Sequence, residues 1–349
     1  MKIIKISDKL IGGQEPCFII AEAGINHNGD INIAKKMIDL AVEAGVDAVK
    51  FQTFTAKEFI SSENEMYEYK SQGKAVKESV LKMFERNEFS QEQWKEIAEH
   101  CKQKGIIFFS TPQDLSNLEI LLKIGIAAIK VGSDDLVNLP LLQEYSKKGL
   151  PMIVSCGMAY LSEIDEAARI IKSSNGNLAI LHCVSSYPAE FKELNLEKIK
   201  NLRNIFPDCV IGFSDHSEGA IAAIVAVALG AKIIEKHFTL DKNMPGPDHW
   251  FSADPEELKE LVRQIRKTEE SLGSPIIKPA ESEIKMRLAC YRSITALQDI
   301  KKGEILTKEN IAAKRPGTGI LAKFAPLVIG RESGQDIKKG ELISFDKIK

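Results

Sequence analysis

Eight short, apolar, β-branched runs recur along the chain, and segments with helical periodicity separate them. They are CFIIAEAG (17–24), DAVKFQ (47–52), IIFFST (106–111), AAIKVG (127–132), PMIVSC (151–156), LAILHCV (178–184), CVIGFSD (209–215) and KIIEKHF (232–238). A strand apolar on both faces must be covered on both, which is the condition of a parallel sheet with helical crossovers. IAKKMIDLAVEAG, SQEQWKEIAEHCKQKG and LSEIDEAARIIKSS read as such crossovers. Eight strand–helix units is the number that closes a barrel. An open doubly wound sheet is the competing solution, but no G-x-G-x-x-G follows the first strand. The expected fold class is α/β, a (β/α)8 TIM barrel with a small β-rich domain behind it.

The 349 residues exceed one ordinary domain, and a barrel of roughly 250 residues accounts for 1–272. GSPIIKPAESEIKMRL, with its Pro, Gly and charge, reads as a linker over 273–288. In the remainder, 289–349, DIKKGEIL (299–306) recurs as DIKKGELI (336–343), which predicts a pseudo-symmetric β-rich module. One excursion, FTAKEFISSENEMYEYKSQGKAVKESVLKMFERNE, interrupts the rhythm after the second strand. Long excursions from the strand-end face carry binding function; the competing reading is a solvated charged helix.

Lys+Arg 47 against Asp+Glu 49 gives a net charge of −2, so no global field draws the chain to nucleic acid or to anionic membranes. No apolar run approaches the ~20 residues that span a bilayer. The N-terminus has no signal-peptide pattern, and the six cysteines are scattered without a CxxC. A reducing, cytoplasmic setting without disulfides is expected.

In a barrel, chemistry gathers at the C-terminal ends of the strands. Glu22 falls near the end of the first strand, Lys50 and Gln52 on the second, Ser110 and Thr111 on the third, and Lys130 and Ser133 on the fourth. Ser155 ends the fifth, Tyr187 follows the sixth, Ser214, Asp215 and His216 end the seventh, and His237 ends the eighth. His216 and His237 project from neighbouring strands, and the eighth strand adjoins the first, which brings Glu22 beside them. Two imidazoles and a carboxylate suit a divalent ion with open positions; the alternatives are core histidines or a general base. Lys50 and Lys130 are inward cations in apolar strands and should each face an anion. A phosphate and carboxylate cradle fits them, as do pairing with Glu22 or Asp135 and a Schiff-base lysine. In GPDHW (246–250), Asp248 or His249 caps the next helix or, in the case of Asp248, binds a hydroxyl at the mouth.

Taken together, AEAGINHNG, VKFQT, FFSTP, KVGS, SCGM, LHCVSSYP, GFSDHS, EKHFTLDKNMPGPDH and KRPGTG resemble, in order, the motifs of sialic acid (N-acetylneuraminate) synthases and of the related legionaminic and pseudaminic acid synthases. The C-terminal region resembles the antifreeze-like SAF domain. The resemblance implies an enzyme that condenses phosphoenolpyruvate with an N-acylmannosamine-type sugar, with N-acetylneuraminate as the expected product and N,N'-diacetyllegionaminate as the alternative. It implies that His216 and His237 hold a divalent ion, manganese first, magnesium or cobalt otherwise. It places phosphoenolpyruvate on Lys50, Thr111, Lys130, Ser133, Ser155 and Ser214, makes Glu22 catalytic, and puts the sugar near Gln52, Asp135, Tyr187 and Asp248. Arg315 in KRPGTG matches an arginine that one subunit lends to its partner, implying a domain-swapped homodimer.

Two departures bear on the substrate. Where many relatives carry S-G-E, this chain has Ser133-Asp134-Asp135, and Ser185 stands where some N-acetylneuraminate synthases have Asn. A Schiff-base barrel aldolase, a relative using phosphorylated sugars as octulosonate-phosphate synthases do, and a non-catalytic sugar- or ice-binding protein are the rival readings.

Overall fold

A computed structural model describes residues 2–349, which divide into two units, one ending at Gly273 and one beginning at Ser274. The first unit opens with an antiparallel hairpin, β1 (Ile3–Ile6) and β2 (Lys9–Gly12). Its apolar side chains Ile4, Ile6 and Ile11 are buried in the barrel's own core. The turn needs a left-handed residue, and Ser7 takes φ 55°, so no Gly marks it in the sequence.

Eight parallel strands then close on themselves. They are β3 (Phe18–Gly24) and β4 (Ala48–Thr53), then, after an inserted hairpin of β5 (Met66–Ser71) and β6 (Lys74–Ser79), β7 (Ile107–Pro112) and β8 (Ile129–Val131). The series continues with β9 (Met152–Ser155), β10 (Leu178–Cys183), β11 (Val210–Asp215) and β12 (Ile233–His237), and β12 returns to pair with β3. Each barrel strand lies within two residues of an expected run, because burial on both faces leaves no polar positions to blur its ends. The expected barrel is therefore the observed one. The inserted segment is not a solvated helix: a hairpin occupies 66–79, with Gln72 (φ 50°) and Gly73 (φ 77°) forming its turn.

The crossover helices start on sequence-encoded caps. Asp30 accepts a hydrogen bond from the Asn32 amide, Asp114 from that of Asn117 and Asn138 from that of Leu141. Ser90 with Gln93, and Asp254 with Glu257, close reciprocal capping boxes. Because Asp254 caps the last barrel helix, Pro255–Leu272, neither Asp248 nor His249 does so. All six cysteines are free, five of them buried. Among the described residues no helix is long and apolar enough to cross a membrane.

In the second unit a helix, Glu283–Cys290, begins inside the stretch read as linker and buries none of its residues. Beyond it β13 (Ser293–Ala296) and β14 (Ile311–Lys314) pair antiparallel over a small core that includes Ile294, Leu306, Val328 and Ile343. The repeated octapeptides face each other. Ile300 and Ile337 form a bridge, Asp336 accepts from the Lys302 amide at 2.9 Å, and Asp299 accepts from the Lys339 amide at 2.9 Å. Lys301–Asp336 and Lys338–Asp299 repeat the exchange as ion pairs, both at 3.2 Å.

Candidate active site

A cavity of about 380 Å³ opens at the C-terminal ends of the barrel strands. Its polar wall follows from strand parity: Lys50 and Gln52 on β4, Ser214 on β11 with His216 just past its end, and Glu235 and His237 on β12 all turn inward. Asp215 and Lys236 have the opposite parity and pair behind the barrel wall at 2.9 Å, where the Ser217 hydroxyl also donates to Asp215.

Four ionisable groups make the floor, each no more than 4% exposed. Lys50 Nζ lies 2.7 Å from Glu22 Oε2, donates to Thr111 Oγ1 at 3.1 Å, and is 3.8 Å from Glu235. Lys130 donates to Ser155 Oγ at 2.8 Å and to the Val131 carbonyl at 2.9 Å, and stands 3.8 Å from the other oxygen of Glu235. The Ser214 hydroxyl donates to Glu235 at 2.8 Å. Burial, reinforced by the nearby Glu235 carboxylate, pushes Glu22 up to about 7 against the pull of Lys50. For Glu235 burial is overcome by Lys130 and Lys50, and its carboxyl stays below the ordinary range. Near neutrality Glu22 therefore stands between its protonated and charged forms while Glu235 remains charged, the usual division between a proton-transfer group and a structural counter-ion. Burial draws Lys130 below its ordinary value, although Glu235 opposes it.

Higher in the cavity, Tyr187 stacks on His216 at 4.2 Å between ring centroids, and the His216 and His237 rings are 5.3 Å apart. His216 Nδ1 is 2.8 Å from the Val184 carbonyl, which fixes its ring. His237 Nδ1 is buried with no hydrogen-bond partner, and Asp248 Oδ2 is 3.8 Å away. Burial and the neighbouring His216 hold His237 well below the usual histidine range. A neutral imidazole with an idle nitrogen is what a metal requires of a ligand, and His237 supplies one. Burial lowers His216 but Cys183 and the Val184 carbonyl hold it above the ordinary histidine value, so the pair fits a divalent ion with His216 deprotonated. Glu22 does not join it, because Lys50 takes its carboxylate, and among the described residues no three His, Cys, Asp or Glu side chains are grouped to hold a metal. Gly157 donates its amide to Ser133 Oγ at 2.9 Å, and a Cβ at Gly157 would stand 2.3 Å from Ser185 Oγ, so a side chain there would displace that hydroxyl.

Of the residues expected from sequence, Glu22, Lys50, Gln52, Thr111, Lys130, Ser133, Ser155, Tyr187, Ser214, His216 and His237 all line this one cavity, and Asp248 touches its edge. Asp135 is not brought to it; Asp134 is. Arg315 lies in the second unit, exposed, just past β14. Glu235 was not singled out from sequence, although its parity with His237 in EKH is the signal that finds it.

A family model described as "NeuB family" matches residues 37–277, and a SAF domain model matches 291–349. The chain belongs to the NeuB family. The N,N'-diacetyllegionaminic acid synthase of Campylobacter jejuni serotype O:2 is 43% identical over 328 residues, 93% of this chain and 98% of that protein. The N-acetylneuraminate-9-phosphate synthase of Homo sapiens is 38% identical over 307 residues, 87% of this chain and 84% of that one. A crystal structure of N-acetylneuraminic acid synthetase from Leptospira borgpetersenii, in complex with citrate, matches with a TM-score of 0.75 at 37% identity, over 82% of this chain and 95% of that one. The family match makes this chain an enzyme, a synthase of the sialic-acid (nonulosonic acid) type.

Proposed function

We propose that the enzyme condenses phosphoenolpyruvate with the open-chain form of an N-acylmannosamine-type sugar, releasing phosphate and a nine-carbon sugar acid. The observation that carries this reading is the buried floor of Lys50, Lys130, Glu22 and Glu235 under a rim of hydroxyls and imidazoles. Two buried cations backed by Thr111, Ser133, Ser155 and Ser214 suit a small, multiply charged anion bearing phosphate and carboxylate. Gln52, Tyr187 and Asp248 sit above them, on the side left to the sugar, and Arg315 of the partner subunit reaches the same sugar in a domain-swapped homodimer. Carbon three of phosphoenolpyruvate adds to the sugar aldehyde. Water then adds at carbon two with Glu22 taking its proton, and the C–O bond to phosphate breaks. Lys50 and Lys130 hold the departing charge. A divalent ion, manganese first and magnesium or cobalt otherwise, held by His216 and His237 would supply Lewis-acid polarisation of the aldehyde.

N-acetylmannosamine, giving N-acetylneuraminate, is the first sugar to test. The similarity to the Campylobacter legionaminic acid synthase, spanning 98% of that protein, favours a second reading with 2,4-diacetamido-2,4,6-trideoxymannose. Phosphate release from phosphoenolpyruvate across these two sugars and N-acetylmannosamine 6-phosphate decides among them; release with none of the three would refute the proposal. The Schiff-base alternative would be revived by borohydride trapping of a keto acid on Lys50 or Lys130.

The metal assignment has its own test. Chelation, or His237→Ala, is expected to lower turnover by about a hundredfold or more while leaving far-UV circular dichroism unchanged. Manganese binding followed by water-proton relaxation should disappear in His237→Ala, and full activity in chelator would exclude the ion.

A further inference from the structure

Two fully buried charges stand next in the chain to the histidines and outside the cavity. Asp215 precedes His216, Lys236 precedes His237, and both side chains turn to the far side of their strands. β11 and β12 pair through Ser214 with Glu235 and Asp215 with Lys236, and there the ladder stops. One step further it would have joined His216 to His237. His237 is still held by β3, where Glu22 is its partner, but His216 lies past the last paired residue of its strand.

Side chains take over where the ladder ends. Lys236 Nζ donates to Asp215 Oδ2 at 2.9 Å and to the Ser217 carbonyl. Asp215 Oδ1 accepts from the Ser217 amide at 2.9 Å and from the Ser217 hydroxyl at 2.7 Å. The residues on either side of His216 are thus both tied to Lys236, and His216 heads a closed turn. A buried ion pair is a poor source of stability, because desolvating two charges offsets most of their attraction, and a well-packed apolar pair does as well or better. What an apolar pair lacks is direction. We infer that Asp215 and Lys236 are positioning residues: with Ser217 they set the His216 ring beside that of His237, 5.3 Å between centroids, and so make one metal site of the two. The inference rests on the metal reading above.

The test uses Asp215→Val/Lys236→Met, which exchanges the pair for apolar residues that suit a strand, and Ser217→Ala, which removes one hydroxyl, both in the full-length enzyme. The urea midpoint of the metal-free double variant should lie at or near that of wild type. Its manganese affinity, followed by water-proton relaxation, should fall about ten- to a hundredfold, and that of Ser217→Ala by less. Phosphoenolpyruvate binding, measured by calorimetry in chelator, should be unchanged in both. A stable double variant that binds manganese as tightly as wild type overturns the inference. So does a matching loss of manganese and phosphoenolpyruvate binding, since a merely structural pair would loosen the whole site. If the double variant does not fold, Ser217→Ala decides by the same comparison, with undiminished manganese binding as the refuting result. If wild type binds no manganese, the metal reading fails on its own, and crystal structures of the metal-free variants still decide. A His216 ring displaced from His237 supports the positioning role, and rings kept at 5.3 Å refute it.

Discussion

Replacing Glu22 with Gln is expected to slow phosphate release by about a hundred- to ten-thousandfold, the range spanned by general acid–base catalysis. The side chain keeps its size and its place between Lys50 and Gln52; it loses its charge toward Lys50 and its ability to take a proton, and only the second has a signature in the pH profile. The pH profile makes the claim specific. Burial and Glu235 raise Glu22 from its ordinary value of 4.5 to about 7, so at pH 5 it carries a proton and cannot accept another. Wild-type kcat/KM should therefore climb as pH rises through about 7, and the Gln variant should lack that limb. A variant within tenfold of wild type, or one that keeps the limb, would move the proton transfer elsewhere.

Glu235→Gln should act on the fold first. Glu235 is the shared counter-ion of two buried lysines, and it is the acid that remains charged at neutrality. Removing its charge leaves Lys130 with hydroxyl and carbonyl partners only, while Lys50 keeps Glu22 as its paired carboxylate. Breaking a buried ion pair from one side costs about 3–5 kcal/mol. Urea unfolding of the ligand-free variant should show that loss. Phosphoenolpyruvate or phosphate should restore more stability to the variant than to wild type, because the ligand supplies the missing negative charge. An unchanged midpoint would mean that the lysines are solvated or neutral and that the floor is not an anion site.

The barrel was legible because parallel strands covered on both sides must be written as unbroken apolar words, and a break in such a word at Glu22, Lys50, Lys130 or His237 is conspicuous. Parity fixes most of the remaining wall: it places Lys50 with Gln52, and the same two-residue spacing in EKH places Glu235, the charge that organises the floor, with His237. Past the last paired residue of β8 parity lapses, and whether Asp134 or Asp135 faces the cavity depends on a turn whose shape no periodicity encodes. The two hairpins were missed for a related reason. Their turns use Ser7 and Gln72 in left-handed conformations in place of Asn-Gly or Asp-Gly, and the strands of the second hairpin bury only Ser71, so no apolar alternation marks them.

The octapeptides of the C-terminal unit carry a further implication. Each bonds to a near-copy of itself through the same aspartate, the same lysine and the same amide, related by an internal dyad. Residues 299–306 of another molecule would satisfy 336–343 of this one no less well, since the contact surfaces are chemically interchangeable. What keeps the halves of one chain together is the stretch 307–335, itself folded into the module through β14 and Val328, which holds the local concentration of one half above that of any free competitor. Unfolding that stretch would leave the two octapeptides open to pairing between chains.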